Sequence, residues 1–135
     1  GYAAVSFGEP VSLKAFRTKN EGDVTIPLAR HLMADIGEII PVLPIPLIAW
    51  LVLRDGAMSR MALEQKVEKV AAGLASNGIH LSPEAFGEAL EDSLMQLKQR
   101  NILIEEHGAF RANPQRQDLL MYYAESVDDT VKKIT

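Results

Sequence analysis

The feature that most constrains this chain is an apolar window of fifteen residues, Ile39 to Leu53 (IIPVLPIPLIAWLVL), broken by Pro41, Pro44 and Pro46. Without the prolines it would read as a membrane segment. A spanning helix takes about 20 apolar residues, and an interior proline removes a helical N–H and pushes its ring into the preceding turn. The window therefore predicts an extended proline-rich connector through Pro46, then a short buried helix from Leu47 to Arg54 that Asp55-Gly56 stops.

The rest of the chain must supply a core for that helix. With 135 residues, 47% of them hydrophobic, and a net charge of −4, the chain has the material for one folded domain with an appendage. It has no Cys and three His, which excludes disulfides, thiolate nucleophiles, zinc–thiolate sites and His-rich metal centres. It opens on Gly1-Tyr2-Ala3-Ala4-Val5-Ser6-Phe7, with neither a basic start nor an apolar stretch of the kind a signal peptide needs. The alternation of Val5 and Phe7 predicts a strand over residues 3–7, so the chain reads as a piece of a longer protein, entered through a sheet edge.

Helical periodicity organises most of the remaining chain. Leu28, Leu32, Ile36 and Ile39/Ile40 predict a helix from Pro27 to Ile40, with Asp23 or Thr25 as its cap and Gly37 weakening its end. Ser59 is placed to cap a helix carrying Leu63, Val67, Val70 and Leu74, which Asn77-Gly78 ends. Ser82, Pro83 and Glu84 suit the start of another, with Phe86, Leu90, Leu94 and Leu97 on one narrow face up to Asn101. Ile102–Glu106 and Ala109–Arg111 flank His107-Gly108, the link of a tight β-hairpin. Asn113-Pro114 opens a last helix that packs through Leu119, Leu120, Tyr122 and Tyr123 and frays from Asp128-Asp129 to Thr135.

From Pro46 onward the order is helix, helix, helix, β-hairpin, helix, the order of a winged helix. In a DNA-binding winged helix the third helix enters the major groove. Here that helix carries Glu84, Glu88, Glu91 and Asp92 against Lys98 and Arg100, and the hairpin carries Glu105 and Glu106 against Arg111. Such surfaces repel phosphates, so no nucleic-acid partner is expected.

His31 and Asp35 stand four apart, on one helical face, and could imitate an acid–base pair. His31 follows Arg30 on a face that reads as solvated, so the pair is expected to be a surface feature. His80 precedes a helix cap and His107 sits in the hairpin turn, each without partners nearby in sequence. Trp50 and the Tyr122-Tyr123 pair could line an acyl pocket, but aromatics at helical spacing are expected in the core. There is no Gly-rich phosphate loop, nucleophile elbow or metal-ligand run. The expected catalytic, cofactor-binding and metal residues are none.

Three stretches resemble a known family. VSFGEPVSLKAF (5–16) is similar to the strand and turn that close the catalytic part of the glycerol-3-phosphate and dihydroxyacetone-phosphate acyltransferases, and the related lysophosphatidate acyltransferases share its FGEP turn. LLMYYAESV (119–127) resembles the Tyr-Tyr helix late in these enzymes, and IPLARHLMADIGEIIPVLPIPLIAWLVL (26–53) their apolar, proline-containing passage into the C-terminal region. The family's catalytic His is followed five positions later by Asp and backed by a Phe-Pro-Glu-Gly-type phosphate motif. Neither occurs here: Asp35 is four from His31 and position 36 is Ile, so the pair does not inherit the catalytic role.

The resemblance implies a mainly α fold: a winged-helix-like helical domain with one β-hairpin, preceded by a severed strand of an α/β acyltransferase domain. Residues 1–20 would end that domain, 21–46 would form a helix and proline-rich connector, and 47–135 the C-terminal domain. The parent would be an acyltransferase of phospholipid biosynthesis at the cytoplasmic face of a membrane, taking acyl groups from coenzyme A or acyl carrier protein thioesters. This stretch would be soluble, non-catalytic and in contact with its own upstream catalytic domain and the membrane surface. Ala3 to Phe7 would dock on the 39–53 segment or pair with a second copy of the chain. The alternative is a free-standing winged-helix-like protein–protein interaction module without enzymatic activity.

Overall fold

A computed structural model of the chain describes residues 5–79 and 88–135. They contain helices α1 (Leu13–Lys19), α2 (Thr25–Ile39), α3 (Pro44–Asp55), α4 (Arg60–Ser76), α5 (Glu88–Gln99) and α6 (Gln117–Lys132). Three short strands, β1 (Met58–Ser59), β2 (Leu103–Glu106) and β3 (Ala109–Ala112), complete a mainly helical protein with a small antiparallel sheet. Two compact units divide it, Gly1–Pro41 and Val42–Thr135.

The first unit holds α1 and α2. Ser12 Oγ accepts the Ala15 N–H at 3.3 Å and starts α1, a helix too short for its hydropathy to repeat and therefore not predicted. Asp23 Oδ1 accepts the Thr25 N–H at 2.9 Å at the entrance to α2, a bond that holds the Asp23 carboxyl below its ordinary pKa. Thr25 opens the helix, two residues before the expected start, because Pro27 falls in the first turn, where an N–H has no intrahelical partner to lose. No described residue of this unit is buried. The strand expected at 3–7 is absent from its described part: Val5 to Phe7 form no strand, and Ala3 and Ala4 lie outside the described residues. A strand needs a ladder partner, and the described residues of this unit offer none.

The second unit is built around α3. Leu47, Ile48, Ala49, Trp50, Leu51 and Val52 are all buried, so this helix is covered all round, chiefly by α6 and further by α4, α5 and β3. It begins at Pro44 rather than Leu47, which corrects the expected connector. Pro44 and Pro46 both lie in the first turn, where missing N–H groups break no helical bond, so two prolines in sequence still start a helix. Gly56, with φ 79°, stops it by returning its N–H to Val52 O at 3.0 Å.

Around α3, α4 presents Leu63, Val67, Val70 and Leu74, all buried as predicted, and Ser59 Oγ accepts the Ala62 N–H at 3.2 Å. Ile79 N–H to Leu74 O at 3.0 Å and Gly78 N–H to Ala75 O at 3.1 Å close α4 with a Schellman pair of bonds. Leu90, Leu94 and Leu97 of α5 are buried; the expected cap at Ser82, with Pro83, Glu84 and Phe86, lies outside the described residues. The hairpin pairs Leu103 with Ala112 and Glu106 with Ala109, and β1 adds on the far side of β3, giving the order β1-β3-β2. The two residues of β1 are too few for alternation to announce them. α6 runs to Lys132 with Val127 and Val131 buried, so the fraying expected from Asp128 does not occur.

Candidate functional site

Helices α3 and α6 leave an open groove of about 440 Å³ on the outside of their packing seam. Trp50 and Leu53 come from α3, and Met121, Asp128 and Lys132 from α6, with Arg54 at the edge. Trp50 is buried, as expected, and its Nε1–H donates to Asp128 Oδ1 at 2.9 Å. The Arg54 guanidinium carbon stands 4.3 Å from the Trp50 ring centroid, a cation–π contact that covers the indole.

The charges at this groove are paired. Arg54 is bidentate on Asp55, at 2.7 and 2.9 Å, and Lys66 also donates to Asp55. These two cations, Arg54 first, hold the Asp55 carboxyl far below its ordinary range. Lys132 donates to Asp128 Oδ2 at 2.6 Å, and this ammonium, ahead of the Trp50 N–H, lowers the Asp128 pKa. The groove thus has an apolar floor and a charge-balanced rim. Among its lining residues no nucleophile stands beside a base, which leaves it suited to binding rather than bond-making.

The sequence-derived candidates do not converge there. His31 Nε2 lies 3.5 Å from Asp35 Oδ2 on the open face of α2, with Phe16 stacked on the imidazole at 5.5 Å between centroids. Their side chains are 45% and 40% exposed, too open to desolvate a proton transfer. His107 occupies the hairpin turn with φ 53°, and His80 lies outside the described residues. Tyr123 is half-buried and its hydroxyl accepts from Arg100 Nη1 at 3.2 Å. Tyr122 is 71% exposed, which corrects its expected place in the packing surface: at 100° per residue it falls outside the arc of Leu120, Ala124, Val127 and Val131. Among the described residues no three His, Cys, Asp or Glu gather as a metal site.

Arg54, Asp128 and Lys132 are site residues that the sequence reading does not single out. A signal exists for the last two: Leu120, Ala124, Val127 and Val131 recur at four, three and four, which carries the helix past Asp128 and sets Asp128 and Lys132 one turn apart.

Residues 1–127 match the family model of the glycerol-3-phosphate acyltransferase C-terminal region. The chain belongs to that family. The match spans all three stretches that carry the resemblance and makes this a domain related to glycerol-3-phosphate acyltransferases and to lipid metabolism. A region that is C-terminal in its family is consistent with a catalytic domain upstream. No curated protein and no solved structure matches the chain. No described helix of this acyltransferase C-terminal region is long and apolar enough to cross a membrane.

Proposed function

We propose that this chain is the non-catalytic C-terminal region of a membrane-associated glycerol-3-phosphate (or related glycerolipid) acyltransferase acting in phospholipid biosynthesis at the cytoplasmic face of a membrane. The observation that carries the reading is the family match over residues 1–127, together with the absence of the family's His–Asp spacing from the sequence. Residues 1–20 would close the acyltransferase domain, 21–46 link it onward, and 47–135 form a winged-helix-like module. Support for the module comes from the succession α3, β1, α4, α5, β2, β3 and the sheet order β1-β3-β2. Its third helix pairs Glu91 with Arg60 and Lys98 with Glu105, leaving no cationic face for a phosphate backbone, so the partner is the upstream catalytic domain rather than nucleic acid.

In the parent, the acceptor hydroxyl oxygen of glycerol 3-phosphate attacks the carbonyl of an acyl thioester carried by coenzyme A or acyl carrier protein. The upstream His takes the hydroxyl proton, the ester C–O bond forms, and the C–S bond breaks to release the thiol. The C-terminal region contributes no group to that step. Incubating the 135-residue chain with glycerol 3-phosphate and an acyl thioester should release thiol at the uncatalysed rate. Turnover that disappears in His31→Ala would overturn the reading.

A further inference from the structure

Apolar exposure is distributed unevenly in this protein. Val5, Phe7, Leu13, Ile26, Leu32, Met33, Ile36 and Ile40, all exposed, belong to the first unit; the larger second unit adds Met61, Met95, Met121 and Tyr122, scattered over several helices. In the first unit the residues are concentrated on α2. At 100° per residue, Leu28, Leu32, Ile36, Ile40, Met33 and Ile26 succeed one another around nearly half the helix circumference without a charged residue among them. Ile36 is 47% and Met33 67% exposed. A contiguous apolar face of this kind marks a contact surface, whereas single exposed apolar residues do not.

The surroundings of that face carry a charge signature. Helix α1 holds Lys14, Arg17 and Lys19 and no acid, all three cations exposed. Arg17 lines a hollow of about 530 Å³ together with Leu13, Leu28 and Leu32, which brings a guanidinium to the border of the apolar arc. Arg30 flanks the opposite border, beside Ile26 and Met33 on the helical wheel. Asp23 is engaged with the Thr25 N–H, and Asp35 faces His31 on the polar side of α2. With 15 residues, α2 is about 22 Å long, short of the ~30 Å hydrocarbon core. An amphipathic helix of this length lies in an interface rather than across it, with its apolar face toward acyl chains and neighbouring cations at the headgroups.

We infer that the apolar face of α2, bordered by the cations of α1, is the surface that seats this region on an anionic lipid bilayer. The inference rests on the membrane-associated reading above and adds where the contact lies. Its geometry also assigns an orientation: the chain carries −4 overall, so an anionic surface attracts it by the locally basic α1 and repels its acidic remainder.

Flotation of the 135-residue chain with phosphatidylcholine vesicles, with and without phosphatidylglycerol, tests it. The chain should partition onto the mixed vesicles and lose affinity as salt rises. Met33→Glu with Ile36→Glu should weaken partitioning at least about tenfold, since one buried apolar side chain is worth more than that factor. Lys14→Glu with Lys19→Glu should reduce binding on mixed vesicles to the level on phosphatidylcholine alone, while Met121→Glu on α6 should change nothing. Unaltered helicity and Trp50 emission would show that each variant is folded. Binding that ignores the α2 variant overturns this assignment and leaves membrane association standing. No partitioning onto either vesicle overturns both for this region, and is the result expected if the face covers a protein surface instead.

Discussion

The indole N–H of Trp50 on α3 donates to the carboxylate of Asp128 on α6 at 2.9 Å, across a separation of 78 residues. This bond ties the first helix of the second unit to the last. Trp50 is buried while Asp128 is held by Lys132 at the rim, so the pair closes the edge of the α3–α6 seam. Trp50→Phe keeps most of the apolar contact and removes the donor; Asp128→Ala removes the acceptor. Each should lower the urea midpoint followed by circular dichroism, and the double variant should lose less than the sum of the two, because the second substitution finds the bond already gone. Strictly additive losses would mean that the bond contributes nothing.

Leu94 tests the phase of α5. It is buried between the neighbouring turns of Leu90 and Leu97, so Leu94→Ala leaves a cavity that the surrounding helices fill only in part. The expected loss is about 2–5 kcal/mol, a large share of a domain's margin. Met95→Ala, one residue on and half exposed, should cost much less. Equal midpoints for the two variants would put α5 in the wrong rotation.

Whether such positions are legible in sequence depends on whether the signal is local. The stripe Leu63, Val67, Val70, Leu74, its Ser59 cap and its Asn77-Gly78 stop are all written within one helix and its ends, and the structure has each of them where the sequence predicts it. The start of α3 is misplaced by a reading that treats proline as a helix breaker at three positions, although at Pro44 and Pro46 the first-turn rule applies. β1 has two residues and α1 seven, too short for either period to repeat. The α3–α6 groove is not legible because Trp50, Arg54, Asp128 and Lys132 meet only when distant helices pack. Tyr122 and Tyr123 show the same limit: adjacent in sequence, they take different environments because one residue turns the helix by 100°.

The hairpin turn makes a demand on backbone conformation that side-chain changes can measure. His107 and Gly108 both have positive φ, 53° and 75°, the geometry of a two-residue type I′ link. Gly108→Val should cost about 1–2 kcal/mol, since a β-branched side chain is strained there even with open space around it. His107→Asn should be neutral or slightly stabilising, because Asn enters the left-handed region more readily. A thermal midpoint unmoved by Gly108→Val would show that the turn takes another geometry.

Asp55 should leave its mark on acid stability. It lies at the C-terminal end of α3, where the helix dipole disfavours a carboxylate, and the Arg54 fork and Lys66 outweigh that cost by holding it ionised. Its pKa in the folded protein is therefore depressed, first by Arg54 and then by Lys66. A depressed carboxyl contributes stability that is fully present above its unfolded value of about 4, declines as pH falls below it, and is gone once pH has dropped through the folded value. Asp128, lowered chiefly by Lys132, adds in the same direction. Urea midpoints should accordingly fall on acidification below about pH 4. In Asp55→Asn the midpoint should start lower at neutral pH and fall less steeply through that window, since the variant has no proton to bind at this position. Parallel pH profiles for the two proteins, offset or not, would show that Asp55 is no more strongly held in the folded state than in the unfolded chain.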